Sequence, residues 1–197
     1  MRTPMNTMRI VLVGILVLMA AGTGWLAFDW YRGRSEPAFG APFVLVDQTG
    51  AEITEQAFRG HPTVVFFGFT HCPEVCPTTL AEMDSWLATL GDEGKDIHAY
   101  FVSVDPERDD AETLARYVGN VSSRITGITG EPGRIAEMAK AFGIYSRKVP
   151  LEDGDYTMDH TASVLLLDRR GGFFGTIAYG EPAKTAIAKL KRLVAEG

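Results

Sequence analysis

The chain has 197 residues, of which 46% are hydrophobic and 22% are charged, and its formal net charge at neutral pH is −6. That length is enough for one ordinary domain and an additional segment. Residues 41–197 alone hold 15 basic and 23 acidic residues, a net charge of −8. Because nucleic acid attracts positively charged surfaces, this balance excludes nucleic-acid binding as the expected function.

The first feature along the chain is an apolar stretch, residues 10–28, which contains no charged side chain and follows Arg2 and Arg9. A helix needs about 20 apolar residues to cross the hydrocarbon core of a membrane, so this stretch fits one transmembrane helix. A cleaved signal peptide, processed near Ala20 and Ala21, is the alternative, although the apolar part of such peptides is usually shorter. We predict a membrane anchor.

The basic residues before the anchor predict its orientation. Positive residues favour the cytoplasmic side of a membrane, although Arg32 and Arg34 follow the anchor and reduce the asymmetry. We therefore predict a cytoplasmic segment at residues 1–9, a tether at residues 29–40 and a domain outside the cytoplasm at residues 41–197. Disulfides are permitted in that compartment.

Residues 41–197 alternate between strand and helix patterns. Short runs rich in β-branched and aromatic residues predict strands, and apolar residues at steps of three and four predict helices. The predicted strands are residues 43–46, 63–69, 97–104, 125–128, 162–167 and 173–179. The predicted helices are residues 53–58, 111–118, 132–142 and 182–194, with one more between the cysteines and Gly91, and a loop is predicted for residues 146–155. The alternation, which ends in a hairpin and a helix, predicts an α/β sandwich.

The two cysteines of the chain, Cys72 and Cys76, stand between a predicted buried strand and a helical pattern. The positive end of a helix favours thiolate, the form that binds metals and attacks disulfides. Residues four apart in a helix have Cα atoms about 6 Å apart, so this pair can form a disulfide or share one metal ion. Because a proline disfavours helical backbone at the residue before it, a helix that begins only at Pro77, with residues 72–76 in a tight loop, is the alternative, and either geometry keeps the sulfurs close. Two cysteines alone do not identify a metal.

Three motifs resemble the signatures of the Sco, or SenC-type, copper proteins, and they occur in that family's order. They are residues 66–80 (FFGFTHCPEVCPTTL), 103–109 (SVDPERD) and 156–160 (YTMDH). The resemblance covers most of residues 41–197 together with the anchor. Family members often have aspartate between the cysteines where this chain has Glu74, a change that keeps the charge.

The resemblance implies a thioredoxin-like fold and a copper ion held by Cys72, Cys76 and His160. It also implies a copper chaperone rather than an enzyme, which helps to build the binuclear copper centre of cytochrome c oxidase subunit II. A periplasmic copper donor or thiol reductant is the second implied partner. The implied location is a bacterial inner membrane, crossed once, with the domain in the periplasm.

The chemistry of these residue types agrees with copper. Two thiolates suit Cu(I), and Cu(II) accepts an imidazole nitrogen in addition. Zinc with three protein ligands and water is a second candidate ion. His71 adjoins a cysteine but is expected to point to another face, His61 and His98 have no supporting context, and Met158 is a candidate thioether ligand that more often serves packing.

Acidic and phenolic groups near the second and third motifs are candidates for holding the imidazole in place. We name Asp105, Tyr156 and Asp159 for this role. Asp109, followed three residues later by Glu112, instead fits a capping box at the start of the helix over residues 111–118.

The alternative function is a membrane-tethered thiol:disulfide oxidoreductase or peroxidase. Two features disfavour it: the spacing is C-x-x-x-C instead of C-x-x-C, and no proline stands just before residues 162–167, where redox members of the thioredoxin fold carry a cis-proline. A domain stapled by a structural disulfide is a third interpretation, but it leaves His160 unexplained.

Overall fold

The structure is a computed structural model that describes residues 5–35, 39–152 and 154–197. These residues divide into two compact units. The first is a single helix, α1 (Met5–Ser35), and the second contains the remaining described residues. Within the described ranges, α1 is the one helix long and apolar enough to cross a membrane, over Arg9–Leu26, and it fits a single-pass anchor. A signal sequence near an N-terminus has the same length and composition.

The second unit is built from strands and helices in alternation. Its strands are β1 (Val44–Asp47), β2 (Glu52–Thr54), β3 (Thr63–Gly68), β4 (His98–Ser103), β5 (Ile125–Thr129), β6 (Ser146–Pro150), β7 (Tyr156–His160), β8 (Val164–Leu167) and β9 (Phe173–Ile177). Its α-helices are α2 (Val75–Leu90), α3 (Ala111–Gly119), α4 (Pro132–Ala141) and α5 (Ala183–Glu196), and short 3-10 helices lie at Glu55–Phe58 and Gly91–Gly94. The α/β class is as predicted.

Seven strands form one mixed sheet in the order β2-β1-β5-β4-β3-β8-β9, and β6 and β7 pair separately as a hairpin. The central strands β3, β4 and β5 run parallel, and β8 pairs antiparallel with β3. All six residues of β3 are buried, as expected for an apolar strand covered on both faces. Because β3 and β4 are parallel, the loops that follow them meet at the same edge of the sheet. The cysteine loop and the loop of the second motif therefore lie side by side.

Aromatic pairs show how the two faces of the sheet are covered. The ring of Phe67 on β3 lies 5.8 Å from that of Phe142, which directly follows α4. On the other face, the ring of Phe101 on β4 lies 5.7 Å from that of Tyr117 on α3. The core is therefore a sheet between two layers, with α4 on one side and α3 on the other.

The alternative in which the helix begins only at Pro77 is wrong, because α2 begins at Val75. Pro77 is the third residue of this helix. A proline is tolerated in the first turn, where its missing N–H would have had no helical acceptor. The cysteine at position 76 is therefore helical, and only Cys72 lies in the preceding loop.

Two other predictions need correction. Residues 53–58 were predicted as a helix, but Glu52–Thr54 pair with β1 as a strand and only Glu55–Phe58 are helical. Residues 146–155 were predicted as a loop, yet the first five form β6, which pairs with β7. The sequence of β6, SRKVP, is polar and half-exposed, so it lacks the apolar signal by which strands are recognised.

Candidate metal centre

Cys72 lies at the N-terminal end of helix α2. The backbone N–H of Cys76, in the first turn of α2, donates to the Sγ atom of Cys72 over 3.3 Å. The first N–H groups of a helix have no helical acceptor, and the side chain of the N-cap residue Glu74 makes no capping bond. The sulfur of Cys72 therefore takes the role that a capping oxygen usually fills. Both cysteines are free thiols in this structure.

The second cysteine is packed against the end of β3. Cys76 is completely buried. A Cβ atom on Gly68, the last residue of β3, would lie 2.8 Å from the Sγ atom of Cys76 and 2.7 Å from Cε2 of Phe101. Because real Cβ atoms do not approach this closely, the absence of a side chain at position 68 provides the space for the thiol. In the sequence, the apolar run of β3 that ends at Gly68 was the signal that Cys76 follows a buried strand.

His160 is the last residue of β7 and reaches the thiols from the hairpin. Its Nε2 atom lies 3.5 Å from the Sγ atom of Cys76, and its Nδ1 atom lies 2.9 Å from the carbonyl oxygen of Thr161. A carbonyl only accepts, so Nδ1 donates this hydrogen bond, and Nε2 is the ring nitrogen that faces the thiols. The ring stands edge-on to Phe69, with centroids 5.7 Å apart.

The structure brings the three predicted ligands, Cys72, Cys76 and His160, together. One donor atom from each lies within 4.8 Å of the other two. Cys76 is fully buried, whereas 9% of Cys72 is exposed and His160 is half-buried. The predicted disulfide of Cys72 with Cys76 stays a prediction.

The pKa values of the two cysteines are shifted in opposite directions. The hydrogen bond with the side chain of Cys76 is the main cause that lowers the pKa of Cys72 to about 5, against the effect of burial, and the backbone amides of residues 74 and 76 add to it. The same hydrogen bond, with burial, raises the pKa of Cys76. The reduced site therefore holds one thiolate, on Cys72, and one thiol, on Cys76. A metal that binds both sulfurs must release the second proton.

A buried carboxylate fixes the loop that leads into the first cysteine. Asp109 is fully buried, and its carboxylate accepts from the backbone N–H of Thr70 at 3.0 Å and from the hydroxyl of Ser103 at 2.6 Å. The hydroxyl of Thr70 donates to its other oxygen. Three hydrogen bonds satisfy this buried charge and tie the loop after β3 to the loop after β4.

The predicted capping box is wrong. Asp110, not Asp109, caps α3, because its side chain accepts from the backbone N–H of Thr113 at 2.8 Å. Glu112 pairs with Arg116 on the exposed face of the helix. With two adjacent aspartates, the sequence pattern did not distinguish the cap from the buried residue.

The groups predicted to hold the imidazole lie around the site at different distances from it. Tyr156 donates its hydroxyl to the buried carboxylate of Asp105 at 2.8 Å, and burial with this bond raises the pKa of Tyr156 to about 12. Asp159 pairs with Arg147 on the surface at 3.2 Å. The described contact of the imidazole N–H is the carbonyl oxygen of Thr161, which sequence reasoning missed because a backbone group leaves no signal in the sequence. The roles of the three predicted groups stay predictions.

The other histidines of the chain do not join the cluster of donors among the described residues. The side chain of His71 is 51% exposed, and its Nδ1 atom lies 3.9 Å from Asp109. The rings of His61 and His98 stack on each other at 3.4 Å, at the opposite end of strands β3 and β4. Met158 is partly buried against the core, in agreement with packing.

The protein-family comparison identifies this arrangement. Residues 32–195 match the family described as SCO1/SenC. The chain belongs to the SCO1/SenC family. Among curated SCO relatives, it is 38% identical over 150 residues to the mitochondrial SCO1 homolog of Homo sapiens, covering 72% of this chain and 48% of that protein. It is 35% identical over 137 residues to the mitochondrial SCO1 homolog 1 of Arabidopsis thaliana, covering 69% and 41%. The chain thus spans about half the length of these relatives.

A solved SCO structure extends the comparison to the fold. The structure of Bradyrhizobium japonicum ScoI with copper bound is 43% identical, has a TM-score of 0.73, and covers 79% of this chain and 99% of that one. The thioredoxin-like fold that the SCO1/SenC motifs implied is confirmed by this likeness. Copper is bound in that relative.

Proposed function

We propose that this SCO1/SenC protein is a membrane-anchored copper chaperone that binds Cu(I) and Cu(II) through Cys72, Cys76 and His160. It acts in assembly of the binuclear copper centre of cytochrome c oxidase. The observation that supports this is the convergence of two sulfurs and an imidazole nitrogen within 4.8 Å. No carboxylate belongs to this set among the described residues, so hard cations such as Mg²⁺ and Ca²⁺ are disfavoured.

Each side chain has a distinct role toward the copper that the protein carries. The Cys72 thiolate is present before metal arrives, whereas Cys76 loses its proton as metal binds. Two sulfurs satisfy Cu(I), and the imidazole nitrogen of His160 adds the donor that Cu(II) requires. The site therefore accommodates both oxidation states.

Copper leaves toward a partner through the exposed edge of the site. Cys72 and His160 are partly accessible, whereas Cys76 is sealed in the core. An incoming thiolate thus meets Cys72 first. In this proposal the acceptor is subunit II of cytochrome c oxidase, and a periplasmic copper donor or thiol reductant charges or reduces the site.

The anchor determines where this occurs. We infer a single-pass protein of a bacterial inner membrane, with residues 1–9 in the cytoplasm, residues 10–28 as the spanning helix and residues 29–40 as the tether. Residues 41–197 then form the copper-binding domain in the periplasm. The apolar part of α1 supports this arrangement.

Fractionation tests the location. The full-length protein is expected to stay in the membrane pellet through a carbonate wash and to lose its domain to protease added from the periplasmic side. A processed form that begins near Ala21 and appears in the soluble periplasmic fraction would contradict the anchor. Cytoplasmic protection of the domain would contradict the orientation.

A thiol:disulfide oxidoreductase is the second candidate function. The observation that favours it is the lowered pKa of Cys72, because a thiolate near neutral pH can attack a disulfide. Such an enzyme exchanges electrons through its sulfurs and needs no imidazole ligand. His160 therefore distinguishes the two functions.

The test measures copper affinity in both oxidation states on the reduced full-length protein in detergent, with disulfide reductase activity alongside. In His160→Ala, Cu(II) affinity is expected to fall by more than about a hundredfold, since loss of a ligand costs more than loss of a group that only orients it. Cu(I) affinity is expected to fall less. His98→Ala, which removes an imidazole outside the cluster, is the control and is expected to change neither.

Two outcomes would contradict the chaperone. Unchanged Cu(II) binding in His160→Ala would remove His160 from the ligand set. Strong reductase activity with weak copper binding in the wild-type protein would establish the oxidoreductase instead.

A further inference from the structure

The strand that carries His160 is not part of the main sheet. Strands β6 and β7 form a hairpin over residues 146–160, and in the described part of the chain these two strands pair only with each other. Most of its residues are exposed or half-buried. Neither sheet hydrogen bonds nor deep burial therefore fixes the hairpin against the rest of the domain. Other contacts must hold His160 beside the thiols.

Arg108, in the loop after β4, reaches across to this hairpin. Its Nη1 atom donates to the carbonyl oxygen of Tyr156 at 3.0 Å and to the carboxylate of Asp155 at 3.2 Å. Its guanidinium lies over the ring of Tyr156, 3.7 Å from the centroid. Its Nε atom donates to Asp105 on its own loop. Only 17% of the Arg108 side chain is exposed, and none of the Asp105 side chain, so the contact between them is shielded from water, whereas the Asp155 side chain is 61% exposed.

The contacts of Arg108 continue to the cysteine loop. The hydroxyl of Tyr156 donates to Asp105, whose backbone N–H donates to the hydroxyl of Ser103 at 3.0 Å. That hydroxyl donates to Asp109, which accepts from the backbone N–H of Thr70. An unbroken series of hydrogen bonds thus joins the hairpin to the residue two positions before the first cysteine. The two parts of the metal centre are fixed relative to each other by polar contacts.

We propose that Arg108 is a positioning residue that sets the preference of the site for Cu(II) over Cu(I), by holding the hairpin and its His160 against the thiols. This inference rests on the proposed copper-binding function. Cu(II) needs the imidazole nitrogen, whereas two thiolates alone hold Cu(I). A more mobile hairpin raises the free-energy cost of placing the imidazole on the metal, because the hairpin loses that conformational freedom when the ligand binds. The cost falls on Cu(II) and largely spares Cu(I).

Lysine cannot replace arginine in this role. The planar guanidinium binds Asp105, Asp155 and a backbone carbonyl in fixed directions while it stacks on Tyr156. An ammonium group is a point charge with a single nitrogen. A lysine at position 108 still keeps a positive charge next to the buried Asp105, so the substitution removes the contacts of Arg108 with the hairpin without leaving that carboxylate unpaired.

The experiment compares Arg108→Lys and Tyr156→Phe with wild type, as reduced full-length protein in detergent. Arg116→Lys, which alters an exposed ion pair on α3, is the matched control. In Arg108→Lys, Cu(II) affinity is expected to fall about tenfold to a hundredfold, the range for groups that orient metal ligands. Cu(I) affinity is expected to stay close to that of wild type. The reduction potential of the bound copper then rises by about 59 mV for each tenfold selective loss of Cu(II).

A spectroscopic readout separates positioning from folding. The thiolate-to-Cu(II) absorption band and the EPR spectrum are expected to shift toward those of His160→Ala in Arg108→Lys, and to a smaller extent in Tyr156→Phe, which loses one hydroxyl and keeps the ring. In Arg116→Lys, the absorption band and the EPR spectrum are expected to match those of wild type. Tyr156→Phe keeps the test decisive if Arg108→Lys does not fold.

Three results would overturn the inference. Equal losses of Cu(II) and Cu(I) affinity, with a lower unfolding midpoint, would make Arg108 a structural residue only. Wild-type selectivity in both variants would show that the hairpin is held by other contacts. Wild-type protein that binds no copper in either state would overturn the proposed function itself, and that failure is visible before any variant is made.

Discussion

The thiol part and the histidine part of the metal centre are constructed in different ways. Cys72 and Cys76 lie four residues apart on a buried strand–helix junction, joined by a hydrogen bond from the backbone N–H of Cys76 to the sulfur of Cys72. His160 stands 84 residues beyond Cys76, on a hairpin with much exposed surface. Sequence-local geometry and core packing fix the sulfurs, whereas long-range polar contacts fix the nitrogen.

This difference separates the two oxidation states of copper. In the proposed copper site, the ligands that Cu(I) prefers lie at the buried junction, and the additional ligand of Cu(II) lies on the half-buried hairpin. Changes to the junction should therefore affect both states, and changes to the hairpin mainly Cu(II).

Gly68→Ala disrupts the thiol part. The new Cβ atom would lie under 3 Å from both Cys76 and Phe101, and neither can retreat in a filled core. We expect overpacking to lower the free energy of unfolding by about 1–3 kcal/mol. Affinity for Cu(I) and Cu(II) should fall together, because the displaced sulfur serves both. Urea unfolding and paired copper titrations measure the two effects.

Gly175→Ala on β9 is the matched control, since a Cβ there meets no heavy atom within 4 Å. It is expected to bind copper as wild type does. A Gly68→Ala variant that loses only Cu(II) affinity would contradict the expectation that the two sulfurs bind copper in both oxidation states.

The proton balance of the thiols gives the next prediction. With the pKa of Cys72 lowered to about 5, its alkylation by iodoacetamide should reach half its maximal rate near pH 5, while Cys76 stays unmodified at neutral pH. Mass spectrometry of the reduced protein identifies the modified residue. In Cys76→Ala, which lacks the thiol that donates to Cys72, the midpoint should move up toward the ordinary value of 9.0. A wild-type midpoint near pH 9 would contradict the assigned thiolate.

Stability should follow the same titration. Between about pH 5 and pH 9, the unfolded chain keeps both thiol protons and the folded chain has lost the one on Cys72. Since the unfolded state binds more protons, the free energy of unfolding contributed by Cys72 rises with pH across this window and is lost as pH falls through 5. Above pH 9 the raised pKa of Cys76 reverses the slope. The difference between wild type and Cys72→Ala isolates this contribution.

Sequence reasoning was most accurate where structure is determined locally. Helical spacing after Cys76 and the apolar run of β3 predicted the junction, because core strands and amphipathic helices leave strong periodic signals. The position of His160 came from the family resemblance. No local pattern connects it to the cysteines.

The hairpin shows why the remainder was not predicted. Strand β6 is polar on both faces, and its partner is recognised only through pairing. Asp109 and Asp110 are chemically identical, and only the fold decides that one is buried while the other caps α3. Such assignments depend on tertiary contacts that a single sequence does not display.

The smallest effect is expected at the exposed edge of the hairpin. Arg147 and Asp159 form an ion pair at 3.2 Å whose side chains are 64% and 53% exposed. Exposed pairs of this kind contribute about 0.2–1 kcal/mol, because water screens them and ordering long side chains costs entropy. Arg147→Met should therefore change the free energy of unfolding by less than about 0.5 kcal/mol. Cu(II) affinity should change by no more than about twofold. If Arg147→Met lowered Cu(II) affinity as much as Arg108→Lys, the surface pair would hold His160 in place, and Asp159 would have the orienting role first assigned to it from the sequence.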